Sequence, residues 1–234
     1  MYIKKTYRFR DAVEVEEYHD FRNNPGGKRE KKRKPTPEDV ARVNQWRKEK
    51  TCRHKIRRYF REGDIYATLT YRQENRPQDM EQAKKDFGAF IRKLKREFKK
   101  AGRELFWIRN IEVGTRNGWH VHLLVPDLPG IHKLLDRLWT GGRVMVQLIQ
   151  GGGRVTKLAA YMTKTPRTDP RLRESNYSTS RNMPLPPPEK KIMHRKTWQA
   201  PRIRKGWQLE QDTLREGINP VTGYPYRCYT ILRI

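Results

Sequence analysis

Two periodicities take turns along the middle of this chain. Residues 64–71, with IYATLTY in their body, are β-branched or aromatic and alternate in polarity, which predicts a strand. Pro77 then opens a segment to about residue 100 in which Met80, Ala83, Phe87, Phe90, Ile91, Leu94 and Phe98 recur at helical spacing, and Gly102 closes it. A second strand is predicted over 105–113, turn chemistry over 114–118, and a third strand over 119–125. A loop over 126–130 leads to a short helix over 131–139. Gly141 and Gly142 precede a fourth strand over 143–149, and Gly151 to Gly153 release the chain into a helix from about 154 to 164, ended by Pro166. The order β-α-β-β-α-β followed by a further helix predicts an α+β, ferredoxin-like split βαβ core: a mostly antiparallel sheet with helices on one face.

The flanks read differently. Thr36, Pro37, Glu38 and Asp39 are a helix start, with Thr36 as N-cap and acids in the first turn, and this basic helix runs to about residue 60 before Gly63. Residues 1–35 hold Asn23-Asn24-Pro25-Gly26-Gly27 and a basic block, and are expected to be mostly irregular, with a short strand around residues 13–15. LPPP at 185–188 reads as a polyproline-II linker, and 224–234 as an aromatic, β-branched edge strand. The expected division is therefore a basic flexible arm over 1–35, one domain over 36–182 that includes the N-terminal helix, and a Pro-rich linker with a C-terminal extension over 183–234.

Charge adds the partner class. Lys and Arg total 53 against 26 acidic residues, a formal net charge of +27, the footprint of a nucleic-acid binder. Lys28, Arg29, Lys31, Lys32, Arg33 and Lys34 form one basic cluster, and a second runs from Arg53 to Arg61 with aromatic neighbours Tyr59 and Phe60. No run of about 18 apolar residues predicts a membrane span, and Met1-Tyr2-Ile3-Lys4-Lys5 lacks the apolar core of a signal peptide. Cys52 and Cys228 are the only cysteines, so a CxxC zinc site is excluded and a reducing cytoplasm is the expected compartment.

The third predicted strand carries the candidate chemistry. In Trp119-His120-Val121-His122-Leu123-Leu124-Val125 the two histidines fall on one face and Val121, Leu123 and Val125 on the other. A pair of neutral imidazoles at that spacing suits a divalent metal. A tight turn centred near Arg116 would set Glu112 opposite His120 on the same face. Two imidazoles and a carboxylate with open positions suit Mn²⁺ or Mg²⁺ acting on phosphate; zinc fits the same ligand types. On the last helix of the core, Lys157, Tyr161 and Lys164 share a face at spacings of four and three. An unaided tyrosine is a poor nucleophile, and a neighbouring ammonium stabilises phenolate or the charge of a pentacovalent phosphorus. Tyr177, in an irregular Ser-rich stretch, is a rival, whereas Tyr66 and Tyr71 read as structural.

These residues resemble the three motifs of the HUH endonucleases: rolling-circle replication initiators, relaxases and single-strand transposases. The hydrophobic strand ends in Ala67-Thr68-Leu69-Thr70-Tyr71, the H-x-H strand is Trp119 to Val125, and the Y-x-x-K helix is Tyr161-Met162-Thr163-Lys164. The resemblance covers roughly residues 40–182 and is nearest to single-tyrosine replication-associated proteins of phages, plasmids and mobile elements, which also tend to have a segment like Ser180-Arg181-Asn182. It implies that His120, His122 and Glu112 hold Mn²⁺ or Mg²⁺, that Tyr161 attacks the scissile phosphate of DNA to leave a 5′-phosphotyrosyl link and a free 3′-OH, and that Lys164 assists. Lys157 and Arg181 join the basic block as expected DNA-binding residues. Implied partners are single-stranded or hairpin DNA at an origin, with a host helicase and polymerase and no membrane. No GxxxxGK[ST] loop is present, so no helicase is fused. A relaxase, a transposase or a non-catalytic single-strand binding module remains the alternative.

Overall fold

The computed structural model describes residues 1–23, 34–114, 118–164, 177–219 and 221–234. They form two units: Met1–Lys50 with Leu185–Ile234, and Thr51–Pro184. Among the described residues there are ten strands and four α-helices, every strand pairing is antiparallel, and the strands divide into two five-stranded sheets.

Unit one begins with β1 (Tyr2–Arg8) and β2 (Ala12–Tyr18) and ends with β8 (Glu189–Met193), β9 (Trp207–Ile218) and β10 (Pro225–Arg233), in the order β8-β1-β2-β10-β9. This corrects three expectations. Residues 1–23 are a hairpin rather than an irregular arm, 183–234 is not merely a linker and tail, and the last strand lies inside the sheet, not at its edge. The physical reason is that β10 pairs with β2 from the far end of the chain, Tyr229 opposite Val15. Such long-range pairing has no local period, and the charged positions of YIKKTYR and AVEVEEY hide their alternation. Of the basic block, Lys28, Arg29, Lys31, Lys32 and Arg33 lie outside the described residues, and Lys34 is exposed.

The helix α1 (Pro37–Tyr59) starts as read: the Asp39 N–H donates to Thr36 Oγ1 at 3.2 Å and the Thr36 N–H to Asp39 Oδ2 at 3.1 Å, a reciprocal cap. In unit two follow β3 (Ile65–Thr70), α2 (Met80–Lys100), β4 (Ile108–Val113), β5 (Trp119–Val125), α3 (Ile131–Leu138), β6 (Val144–Leu148), α4 (Arg154–Thr163) and β7 (Tyr177–Thr179). The helix α2 begins three residues later than Pro77 suggests, because Asp79 caps it by accepting from the Gln82 N–H at 2.8 Å. The sheet order β6-β3-β5-β4-β7 is the ferredoxin-like split βαβ order, extended by β7.

Alternation along the strands builds two apolar layers. Ala67, Leu69, Ile111, Val121, Leu123 and Val125 pack on one face against Phe87, Phe90, Leu94 and Phe98 of α2 and Ile131 and Leu135 of α3. The helices are not confined to that face, as the sequence suggests. On the other, Ile108 and Leu124 meet Cys52, Ile56 and Phe60 at the end of α1 and Val155, Ala159 and Met162 of α4. Each fully buried Leu or Phe contributes roughly 1.5–3 kcal/mol relative to exposure. Among the described residues no helix is long and apolar enough to cross a membrane.

Gly142 allows the chain to re-enter the sheet as β6. A Cβ there would lie 2.3 Å from the Thr70 carbonyl oxygen and 2.8 Å from the Arg72 nitrogen, both backbone atoms with little freedom to move. Gly142→Ala is therefore expected to cost about 1–3 kcal/mol, read as a lower urea midpoint; an unchanged midpoint would show that this approach is looser than described.

Candidate active site

The face of the sheet under α1 and α4 carries the polar cluster. In β5, His120 and His122 point to this face while Val121 and Leu123 enter the opposite core. The register pairs Glu112 of β4 with His120, the pairing that a turn centred near Arg116 requires; Arg116 itself lies outside the described residues. Glu112 Oε2 is 3.6 Å from His120 Nε2 and 3.4 Å from His122 Nε2. One ligand atom from each of the three residues falls within 4.8 Å of the others, so the group could hold a metal ion.

The hydrogen bonds fit that use. His120 Nδ1 lies 3.0 Å from the Gly118 carbonyl oxygen. A carbonyl only accepts, so the proton sits on Nδ1 and the Nε2 lone pair faces Glu112. His122 Nδ1 lies 2.7 Å from the Tyr66 hydroxyl and 3.3 Å from Thr68 Oγ1, and the Tyr66 ring stacks on the imidazole with centroids 5.7 Å apart. With its proton on Nδ1, His122 also turns a lone pair on Nε2 toward the cluster. Burial raises the Glu112 carboxyl, but its hydrogen bonds to His120 and His122 and their charge outweigh that and hold its pKa at about 2. Glu112 is thus an anion at neutral pH, and its hydrogen bond in turn raises the His120 pKa against the opposing effect of burial.

Tyr161 of α4 completes the group. Its hydroxyl is 2.8 Å from His122 Nε2, and Tyr161 is 39% exposed, so a substrate can reach it. Val155, Ala159 and Met162 dock α4 on the sheet and leave Tyr161 over the imidazole. Burial, then the neighbouring Tyr66 and the Glu112 carboxylate, push its phenol pKa well above the usual value. Without added positive charge the phenol keeps its proton.

Lys164 lies one residue beyond α4. Its N–H donates to the Tyr161 carbonyl at 3.2 Å. Its own carbonyl accepts from Asn110 Nδ2 at 3.3 Å, and the same amide nitrogen donates to Glu112 Oε1 at 3.3 Å. Asn110, fully buried, therefore ties the end of the tyrosine helix to the carboxylate. Lys157 is exposed on α4, and among the described residues no hydrogen bond or ion pair joins it to the cluster. Arg181 is exposed beyond β7, where the Ser180 N–H donates to the Trp107 carbonyl at 2.9 Å and Asn182 Nδ2 to Glu104 Oε1 at 2.8 Å.

Among the rival tyrosines, Tyr71 lies in the opposite core, with its hydroxyl 3.2 Å from Asp86. Tyr177 packs against the α1–α4 core, where burial raises its phenol pKa. Tyr66, read from sequence as structural, touches His122, and sequence reasoning did not single out Thr68 or Asn110. The available signal was parity: Tyr66 and Thr68 alternate with the core residues Ala67 and Leu69, so they share the face of His122.

A ferredoxin-like α+β unit with a Glu-His-His cluster under a helix-borne tyrosine defines the class of site. Residues 64–166 match a family model of replication-associated proteins, the ORF2 group. The match runs from the residue before β3 to just past α4 and lies wholly within unit two. No curated protein and no solved structure matches the chain. The likeness supports a replication-associated protein.

The hydrogen bonds of His122 make a spectroscopic prediction. In the metal-free protein, long-range ¹H–¹⁵N NMR should show His122 with its proton on Nδ1, and Tyr66→Phe with Thr68→Val should shift the population toward the Nε2–H form. A wild-type signal from the Nε2–H form would contradict the assignment.

Proposed function

We propose that this protein nicks and rejoins single-stranded DNA through Tyr161 and so initiates rolling-circle replication of a phage, plasmid or mobile element. The observation that carries the reading is the Tyr161 hydroxyl, 2.8 Å from a histidine of the one metal-competent cluster among the described residues. The match of residues 64–166 to a replication-associated family supports it, as does the charge of +27.

Glu112, His120 and His122 would hold Mn²⁺ or Mg²⁺, which would supply positive charge for the phosphate oxygens. The oxygen ligand and the two imidazole lone pairs fit such an ion. The Tyr161 oxygen attacks phosphorus, a P–O(Tyr) bond forms and the P–O3′ bond breaks. The tyrosine proton is lost and the departing 3′ oxygen gains one, leaving a 3′-OH and a phosphotyrosyl 5′ end. The bond count at phosphorus is conserved, so attack by a 3′-OH reverses the step and rejoins the strand. Positive charge beside the phenol favours its ionised form, opposing the rise caused by burial. Asn110 keeps the end of α4 in line with Glu112, and Lys164 offers its ammonium to the phosphate. Lys34, Lys157, Arg181 and the basic residues of 28–33 would contact DNA phosphates. The 3′-OH would serve a polymerase, and a host helicase would open the duplex.

Cleavage of labelled oligonucleotides with Mn²⁺ tests the reading. Tyr161→Phe removes only the hydroxyl and should abolish cleavage while DNA and metal binding persist. His120→Ala with His122→Ala should abolish both metal binding and cleavage with the fold intact by circular dichroism. Lys164→Ala should slow cleavage about 10–100-fold, within the range for one electrostatic group at a reacting centre. Normal cleavage by the double histidine variant would overturn the reading.

A further inference from the structure

The family match leaves unit one without a role, and its sheet has a groove. The register brings Thr6 of β1 and Tyr229 of β10 to either side of Val15 of β2. Val15, Tyr229 and Ile231 form a buried floor, with half-buried Trp207 at its margin. Above it is a cavity of about 510 Å³, within the range of small-molecule pockets, about 300–1,000 Å³.

The walls are basic. Lys4, Arg8 and Arg10 come from the first hairpin, Lys191 from β8, and Arg202 and Arg204 from the loop before β9. Glu189 is the one acidic lining residue, and Arg8 at 3.3 Å and Lys191 at 2.8 Å already claim it. Among the described residues no carboxylate pairs with Arg10, Arg202 or Arg204. Arg204 is fixed at the rim, because its carbonyl accepts from the Trp207 N–H at 3.1 Å.

Clustered like charges destabilise a folded chain by mutual repulsion unless an anion joins them. The sunken apolar floor beneath them adds a second requirement: the anion must carry flat apolar groups. An acidic peptide brings charge but no rings. A duplex keeps its bases stacked inside. Single-stranded nucleic acid offers phosphates to the rim and an unstacked base to Trp207 and the floor. We infer that this groove of unit one binds single-stranded DNA, independently of the tyrosine chemistry of unit two. The choice of DNA over RNA rests on the function proposed above.

Fluorescence anisotropy of the full chain with a labelled oligothymidylate of about 20 nucleotides tests this, over a salt series without metal. Arg202→Gln with Arg204→Gln should lower affinity about tenfold and reduce the log–log salt slope by about 1.4, two phosphate contacts at about 0.7 each. Trp207→Ala should weaken binding about fivefold or more with little change in slope. Lys95→Gln with Arg96→Gln removes the same charge from the exposed face of α2 and should change affinity less than twofold. Equal losses from the two charge pairs would overturn the inference, as would tighter binding of oligouridylate or equal displacement by polyglutamate. Cleavage separates this from the tyrosine reading. The Arg202/Arg204 variant should keep its maximal rate at saturating DNA and show only a raised KM. A wild type that never cleaves would defeat the Tyr161 chemistry and leave the groove to be judged on anisotropy.

Discussion

The register between β4 and β5 is the constraint on which the site depends. Glu112 faces His120 only because Ile111, Val121, Leu123 and Val125 are committed to the core under α2 and α3. A slip of one residue would turn those side chains to the polar face and bury the ligands. The free energy of apolar burial therefore holds the two imidazoles and the carboxylate together. The cluster itself brings desolvation costs, visible in the upward pull of burial on Glu112 and the downward pull on His120.

The tyrosine depends on a separate contact. Met162 and Ala159 dock α4 on the sheet beside Leu124, and the polar clamp of Asn110 fastens its last turn. Because one buried amide bonds both the Lys164 carbonyl and Glu112, motion of the helix end and motion of the carboxylate are coupled. The unusual feature of Tyr161 is its setting between an imidazole lone pair and a nearby carboxylate, which keeps it protonated until positive charge arrives.

Much of unit two was legible in the chain. The period-two runs over β3 and β5 and the helical spacing of Phe87, Phe90, Leu94 and Phe98 are local signals, and short turns set the order of elements. Glu112 opposite His120 followed from turn length alone. Tyr66 in its contact with His122 and the clamp of Asn110 were not legible, since each depends on side chains meeting across strands or from a helix placed by tertiary packing. Unit one was nearly invisible for the same reason. Its sheet joins the first 18 residues to the last 46, and strands bearing Lys4, Lys5, Glu14, Glu16 and Glu17 resemble solvated chain until their partners are known.

The most direct measurement is the site of covalent attachment. Wild-type protein is incubated with Mn²⁺ and a single-stranded oligonucleotide that it cleaves, digested with protease and nuclease, and the nucleotide-bearing peptide is sequenced by mass spectrometry. The expected result is one phosphodiester adduct on Tyr161, joined to the 5′ phosphate of the downstream fragment. A nicked product with no adduct, or an adduct on Tyr177, would contradict it.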